Sequence, residues 1–388
     1  ENGDYGYKFG PNGTKWSGYE TVNMAVDLIW EESRKQDLGI DLKLFNDDLS
    51  IVFDLFKERR ENILLKREHS IPSFLGYNTS APYGNIGIIE NKGFDGTIEY
   101  NKRINKDWVI ALRGNVTFNK DKWIQGELPE QKYEWMNQYG HNINGVKGYV
   151  AEGLFTQAEI DDMARWESLS DANKAITPKP FASQFGTVKA GDIKYKDVNG
   201  DGVINNNDRV AVGNTNRPSF VYGMGISANW KGLDASVHFQ GTGKSSFFIN
   251  GVLVHPFSRG TWGNVSTDVV NSSRWISRDI SGDPATENPN AVYPRLKFGG
   301  ENNVNNNQYS THWLRNGSYL RLKTVEIGYT LPKNIVSKIR FSKIRLFFTG
   351  TNLLTFSKFK LWDPEPRSND GSFYPITKSV TFGLNISL

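Results

Sequence analysis

The sequence contains no cysteine, so it forms no disulfide and offers no thiolate for catalysis or metal binding. No stretch approaches the roughly 18 consecutive apolar residues that a membrane-spanning helix requires. That excludes helical spans, but not transmembrane strands, whose alternation hides the apolar half from any hydropathy average. Charge of one sign is not in excess. There are 46 basic and 42 acidic residues, for a net charge of +4, and no basic block or aromatic-plus-Arg motif that would suit nucleic acid. The five histidines, His69, His141, His238, His255 and His312, have no metal-ligand spacing. The adjacent carboxylates Asp161 and Asp162 fall on a predicted helix, where neighbours do not share a face. Nucleophile elbows and phosphate-binding glycine loops are also missing, so no enzyme is expected. The chain opens at Glu1 with neither an initiator Met nor the apolar core of a signal peptide. It is expected to be mature or a later piece of a longer polypeptide.

What is present is alternation. Clusters of Gly, Asn and Asp separate segments of period two, the pattern of an antiparallel all-β protein. Strands are expected over 22–30, 38–44 (after a turn at 35–37) and from 51 to about 55. A hairpin follows, 94–103 with 108–119 about a turn at 105–107. A second joins 220–230 to 233–240 through Lys231-Gly232. Further strands are expected over 318–331, 341–354 and 380–388. Thr156 and Glu159 form a capping box for a helix to about Trp166, and Pro332 suits the first turn of a short helix. Long loops are expected at 61–92, 120–145, 156–218 and 243–311.

The six most regular strands carry no charge on their apolar faces, although 23% of the chain is charged. Asp27, Glu31, Asp41, Lys43, Arg113, Asp234 and His238 lie on the opposite faces. A β-sandwich also alternates. Strands of 9 to 13 residues, aromatic residues near strand ends, and short turns alternating with long loops favour a transmembrane β-barrel.

The 197–208 segment has Asp197, Asn199, Asp201, Val203, Asn205 and Asp208 at positions 1, 3, 5, 7, 9 and 12 of an EF-hand-like loop. These oxygen donors suit Ca2+ in a structural role. An Asx-rich turn closed by its own hydrogen bonds has the same composition. Trp262, Trp275, Tyr293 and Trp313 are candidates for stacking on a substrate at the barrel mouth, or for packing within the loops. Arg113, Asp234, His238 and Gln240 are candidates for lumenal contacts, or for a merely solvated wall.

Several blocks occur in a distinctive order: Ile89-Glu-Asn-Lys-Gly-Phe94, Gly191-Asp-Ile-Lys-Tyr-Lys-Asp-Val-Asn-Gly-Asp-Gly-Val-Ile204, Gly213-Asn214, Gly317-Ser-Tyr-Leu-Arg-Leu-Lys323, Gly328-Tyr-Thr-Leu-Pro332, Thr351-Asn-Leu-Leu-Thr-Phe356 and Thr381-Phe-Gly-Leu-Asn385. Together they resemble the C-terminal part of SusC-type TonB-dependent outer-membrane transporters. The resemblance implies roughly ten strands of a barrel of about 22 in the bacterial outer membrane. It also implies uptake of oligosaccharides or peptides, a plug and an N-terminal barrel half not present in this sequence, a SusD-like surface lipoprotein, and coupling to TonB. Half a barrel has open edges, so the missing segment is expected to close it. The alternative is a soluble, secreted carbohydrate-binding or adhesive β-protein with a dockerin-like calcium loop.

Overall fold

The computed structural model describes residues 7–8, 15–16, 28–70, 81–257, 265–298 and 303–388. Nine long strands form one antiparallel sheet: β1 (Glu32–Leu44), β2 (Leu49–Lys66), β3 (Tyr83–Arg103), β4 (Trp108–Gln125), β5 (Phe220–Trp230), β6 (Leu233–Gly243), β7 (Tyr319–Thr330), β8 (Lys343–Ser357) and β9 (Ser379–Ser387). Their order in the sheet is their order in the chain, a meander without crossovers, with β1 and β9 at its open edges.

The register aligns the alternation of every strand with that of its neighbour. One outward row runs Leu42–Ile51–Ile98–Gly114–Met224–Phe239. Another runs Leu38–Leu55–Phe94–Phe118–Phe220. Much of this face is open to its surroundings: Leu38 is 64% exposed, Ile226 50% and Phe382 80%. An apolar face of this extent is costly in water and favourable in lipid. Near one edge of the face Trp108 stacks on Trp230, with centroids 5.5 Å apart. Near the other, Phe94 meets Phe118 at 5.7 Å. From Trp108 to Phe118 the chain advances roughly 33 Å at about 3.3 Å per residue. At a tilt of about 40° that spans about 25 Å, the height of an outer-membrane apolar band.

Because the sheet is a meander, alternate connections share a rim. One rim carries short connections at 45–48, 104–107, 231–232 and 331–342; the other carries 67–82, 126–219, 244–318 and 358–378. The tightest turn is Lys231-Gly232, both with positive φ (46° and 87°), as a two-residue turn matched to strand twist requires.

Some boundaries differ from the sequence pattern. Residues 35–37 do not turn but lie within β1, and the reversal falls at Phe45–Asp48. Polar pairing explains this, because Arg34 meets Glu61 at 3.5 Å across the ladder. Residues 22–27 lie outside the described residues, and 28–31 are not strand. β2 and β3 run well into the expected 61–92 loop, and β4 continues to Gln125 into the 120–145 loop. These extensions are charged because they rise beyond the apolar band, where water or headgroups solvate both faces. The capping box is present, with Thr156 and Glu159 bonding reciprocally at the start of α1 (Gln157–Glu167), and Pro332 caps the helix Lys333–Val336.

The insertions 126–219, 244–318 and 358–378 are not separate loops. They share one hydrophobic core, which includes Tyr149, Ile193 and Tyr195 from the first, Phe247, Trp275, Tyr293 and Trp313 from the second, and Phe359 from the third. This cap sits on the long-loop rim of the sheet.

Candidate functional site

The surface opposite the apolar face is polar and carries the four expected wall residues. Arg113 and His238 face each other across Gly225, with which each is in register. With Glu99, Asn101, Ser227 and Ser236 they line a hollow of about 230 Å3. Glycine at 225 leaves it open, since a side chain there would lie against the His238 ring. The Arg113 guanidinium is 2.8 Å from Glu99. Asp234 is tied up instead: Arg345 bridges it to Glu326. Gln240 lies in register with Gly223 and Arg321, one rung toward the cap. The structure thus joins Arg113 to His238 in one hollow and gives Asp234 a separate partner.

Trp275, Tyr293 and Trp313 are core residues of the cap, 7%, 2% and 2% exposed. Gly191 approaches Trp275 so closely that a Cβ would fall 2.3 Å from the indole, and its φ of 86° favours glycine as well. The Tyr293 hydroxyl donates to Asp268 (2.6 Å), and burial pushes it above the usual phenol range. The Trp313 indole donates to the Asn306 carbonyl (2.6 Å). Of the two readings the sequence allows, packing within the loops describes these three rings, and their partners lie on distant segments. Trp262 lies outside the described residues.

The 197–208 loop is closed by its own hydrogen bonds. Asp197 accepts from Gly200 N (2.8 Å) and Gly202 N (2.7 Å), Asn199 from Asp201 N (3.0 Å), and Asp201 from Val203 N (2.9 Å). Asn205 Nδ2 donates to the Val203 carbonyl. Asp208, fully buried, accepts from Val198 N (2.9 Å) and Asn205 N (2.8 Å). Among the described residues no three acidic or histidine side chains gather about a common point. The loop is anchored to the cap by Ile204, whose N–H donates to Ser183 and whose side chain is in the core.

Sequence reading missed the buried polar centre of the cap. Asp192, 1% exposed, receives Nδ2 donors from Asn303 (3.0 Å) and Asn306 (2.9 Å), Lys189 N (2.8 Å) and the Arg295 guanidinium. The only signal for Asp192 was its place in an ordered motif.

An all-antiparallel meander with a lipid-height apolar outer face, a polar opposite face and one elaborated rim defines the wall of an outer-membrane β-barrel. The chain is similar to proteins named TonB-dependent receptors and SusC, at 23–27% identity over nearly its whole length, and its place is the bacterial outer membrane. It is 27% identical to TonB-dependent receptor P3 of Formosa agariphila over 95% of its length, covering 35% of that relative. It is 23% identical to TonB-dependent receptor SusC of Bacteroides thetaiotaomicron over 100% of its length, covering 34% of that protein. Among solved structures, the RagAB peptide importer in its open-open state superposes with a TM-score of 0.68 at 21% identity, over 93% of this chain and 35% of that one. No family model matches. The chain therefore spans about a third of the length of the relatives it matches.

Proposed function

We propose that this chain forms the C-terminal wall and extracellular cap of a transporter that takes up oligosaccharides or peptides across the outer membrane, driven by TonB. The observation that carries this reading is the unbroken apolar face at lipid height, backed by a polar surface and roofed by a cored cap. A soluble β-protein would hide that face. The relatives are named as receptors and importers, which points away from catalysis. A plug and N-terminal strands of the same protein close the sheet edges at β1 and β9 in this proposal. A SusD-like lipoprotein covers the cap, and the TonB complex acts through the plug.

Both substrate classes are compatible with the hollow at Arg113 and His238, which offers a cation, a carboxylate and hydroxyls. Uptake of labelled oligosaccharide and peptide mixtures by cells with and without the full-length gene, and with and without functional TonB, tests the reading. Uptake lost on deletion of either component supports it, and uptake unchanged in both deletions overturns it. Ca2+ in the 197–208 loop is a further proposal, resting on ligand spacing; its role there is structural, holding the loop to the cap.

A further inference from the structure

The wall has a notch where β4 runs past the end of β5. Phe118 pairs with Phe220 at the first residue of β5, and Asn119 N donates to the Ser219 carbonyl (2.9 Å). Beyond that point the space beside β4 is bounded by cap segments, leaving a hollow of about 330 Å3 lined by Phe118, Lys120, Asn142, Asn214, Arg217 and Lys244 among others. Phe118 belongs to the outward apolar row. Lys120 shares its face, two residues nearer the cap. The Lys244 ammonium lies 4.5 Å from the Phe118 ring centroid. The notch therefore reaches the outward face, at the upper edge of the apolar band, with Asn119 and Asp121 lining it from the polar side.

Its charge is net positive. Lys120, Arg217 and Lys244 are exposed, and among the described residues none of the three forms an ion pair. The acidic residue in the lining, Asp121, accepts from Ile143 N (3.3 Å). Elsewhere on the same rim cations have a carboxylate within reach: Lys57 and Lys122 share Glu90, each at 3.4 Å. Three cations against the one carboxylate of Asp121 leave the lining net positive, and an entering anion offsets the excess. Guanidinium and ammonium groups suit phosphate oxygens, and the neighbouring Asn side chains supply amide donors for further oxygens. At this height the group that meets the wall is a lipid headgroup.

We propose that the notch binds the phosphorylated headgroup of an outer-leaflet lipid. Lys120, Arg217 and Lys244 hold the phosphate, and the acyl chains run down the Phe94–Phe118–Phe220 row. The proposal depends on the long-loop rim facing the cell exterior.

The full-length transporter is reconstituted in phosphatidylcholine nanodiscs with phosphorylated lipid A, with dephosphorylated lipid A, or with neither, and retained lipid is measured by mass spectrometry. Heat-modifiable migration confirms that each variant is folded. Lys120→Gln, Arg217→Gln and Lys244→Gln should each lower retention of the phosphorylated form by about fivefold, as roughly 1 kcal/mol per cation near a surface predicts. Lys106→Gln, at the opposite rim, should leave it unchanged, and wild type should retain the dephosphorylated form poorly. Retention equal in wild type and in all three folded variants overturns the proposal, as does equal retention of both lipid forms. Inorganic phosphate that binds in lipid-A-free discs and is not displaced by lipid A makes this a free-anion site, which overturns the lipid assignment while leaving the transport reading untouched.

Discussion

Asp192 and Arg295, 103 residues apart in the chain, meet inside the cap with Arg295 Nη2 2.9 Å from Asp192 Oδ2 and Nε 2.8 Å from Oδ1. The pair joins the first long insertion to the second, and Asn303 and Asn306 complete the carboxylate's shell. Breaking a buried pair costs about 3–5 kcal/mol, because the surviving partner stays buried without its counterpart. Asp192→Ala should therefore loosen the cap while leaving the barrel assembled. Hydrogen exchange should rise across 186–195 and 291–307 but not across β5 and β6. Unchanged protection of the cap refutes this.

Arg321 clamps the third insertion in the same way. It lies near the cap end of β7, 1% exposed, with Nη2 2.5 Å from Asp363 and Nε 3.1 Å from Glu365. Asp363 in turn accepts from Glu365 N and Ile376 N, drawing both ends of 363–376 onto the barrel. Arg321→Gln should expose 358–378 to proteolysis at least tenfold faster, for a local loss of about 3 kcal/mol. Cleavage at the wild-type rate would remove the clamp from the account.

His255 and His312 flank Trp313, with centroids 4.6 and 4.7 Å from its ring. Burial holds His255 down at about 4, helped by the like charge of His312; burial and the Arg315 charge do the same to His312. An opened cap would protonate both near pH 6.5. The opened state thus binds more protons between about pH 6.5 and pH 4, and cap stability, complete above 6.5, falls as pH drops through that window. The loss reaches about 3 kcal/mol per histidine. Protection factors across 244–318, corrected for the pH dependence of intrinsic amide exchange, should fall at pH 5 relative to pH 7.5. The double variant His255→Phe, His312→Phe should abolish most of that difference, and an undiminished acid response in it would discard the assignment.

The two faces of the sheet should respond oppositely to charge. Ile226 is outward, in register with Leu112 and Val237. Ile226→Arg should cost about 2–4 kcal/mol of barrel stability in bilayers. Ser227→Arg, one residue along and on the polar face, should cost little. Urea unfolding in vesicles measures both. Equal costs would mean that the faces are assigned wrongly.

If calcium holds the 197–208 loop, chelation should lower the melting temperature of the cap. Asp197→Asn should remove the chelator response, while Lys106→Gln keeps it. A melting curve unmoved by calcium or chelator in wild type leaves the hydrogen-bonded turn as the whole explanation of the loop.

Period-two alternation made β4, β5, β6 and β9 legible to within a residue or two at most ends, and showed which face of each is apolar. The Lys231-Gly232 turn and the α1 capping box were legible because each is a local device. The supposed turn at 35–37 misled because Asp37-Leu-Gly has turn composition, whereas cross-strand pairing with β2 decides its conformation. For Trp275, Tyr293 and Trp313 the sequence left stacking and loop packing both open, for a related reason. They sit in polar, Asn-rich sequence, and the residues that bury them come from segments far along the chain.

What the sequence determined by itself was the periodicity, and through it the strands and the two chemically distinct faces, because side-chain alternation is a property of the extended chain alone. What only the tertiary structure decided was everything held by contacts across the insertions: the cap core, the Asp192 and Arg321 centres, and the cationic notch beside Phe118. No local pattern encodes the meeting of Lys120, Arg217 and Lys244. Their proximity follows from where β4 outruns β5 and where the cap settles on the rim.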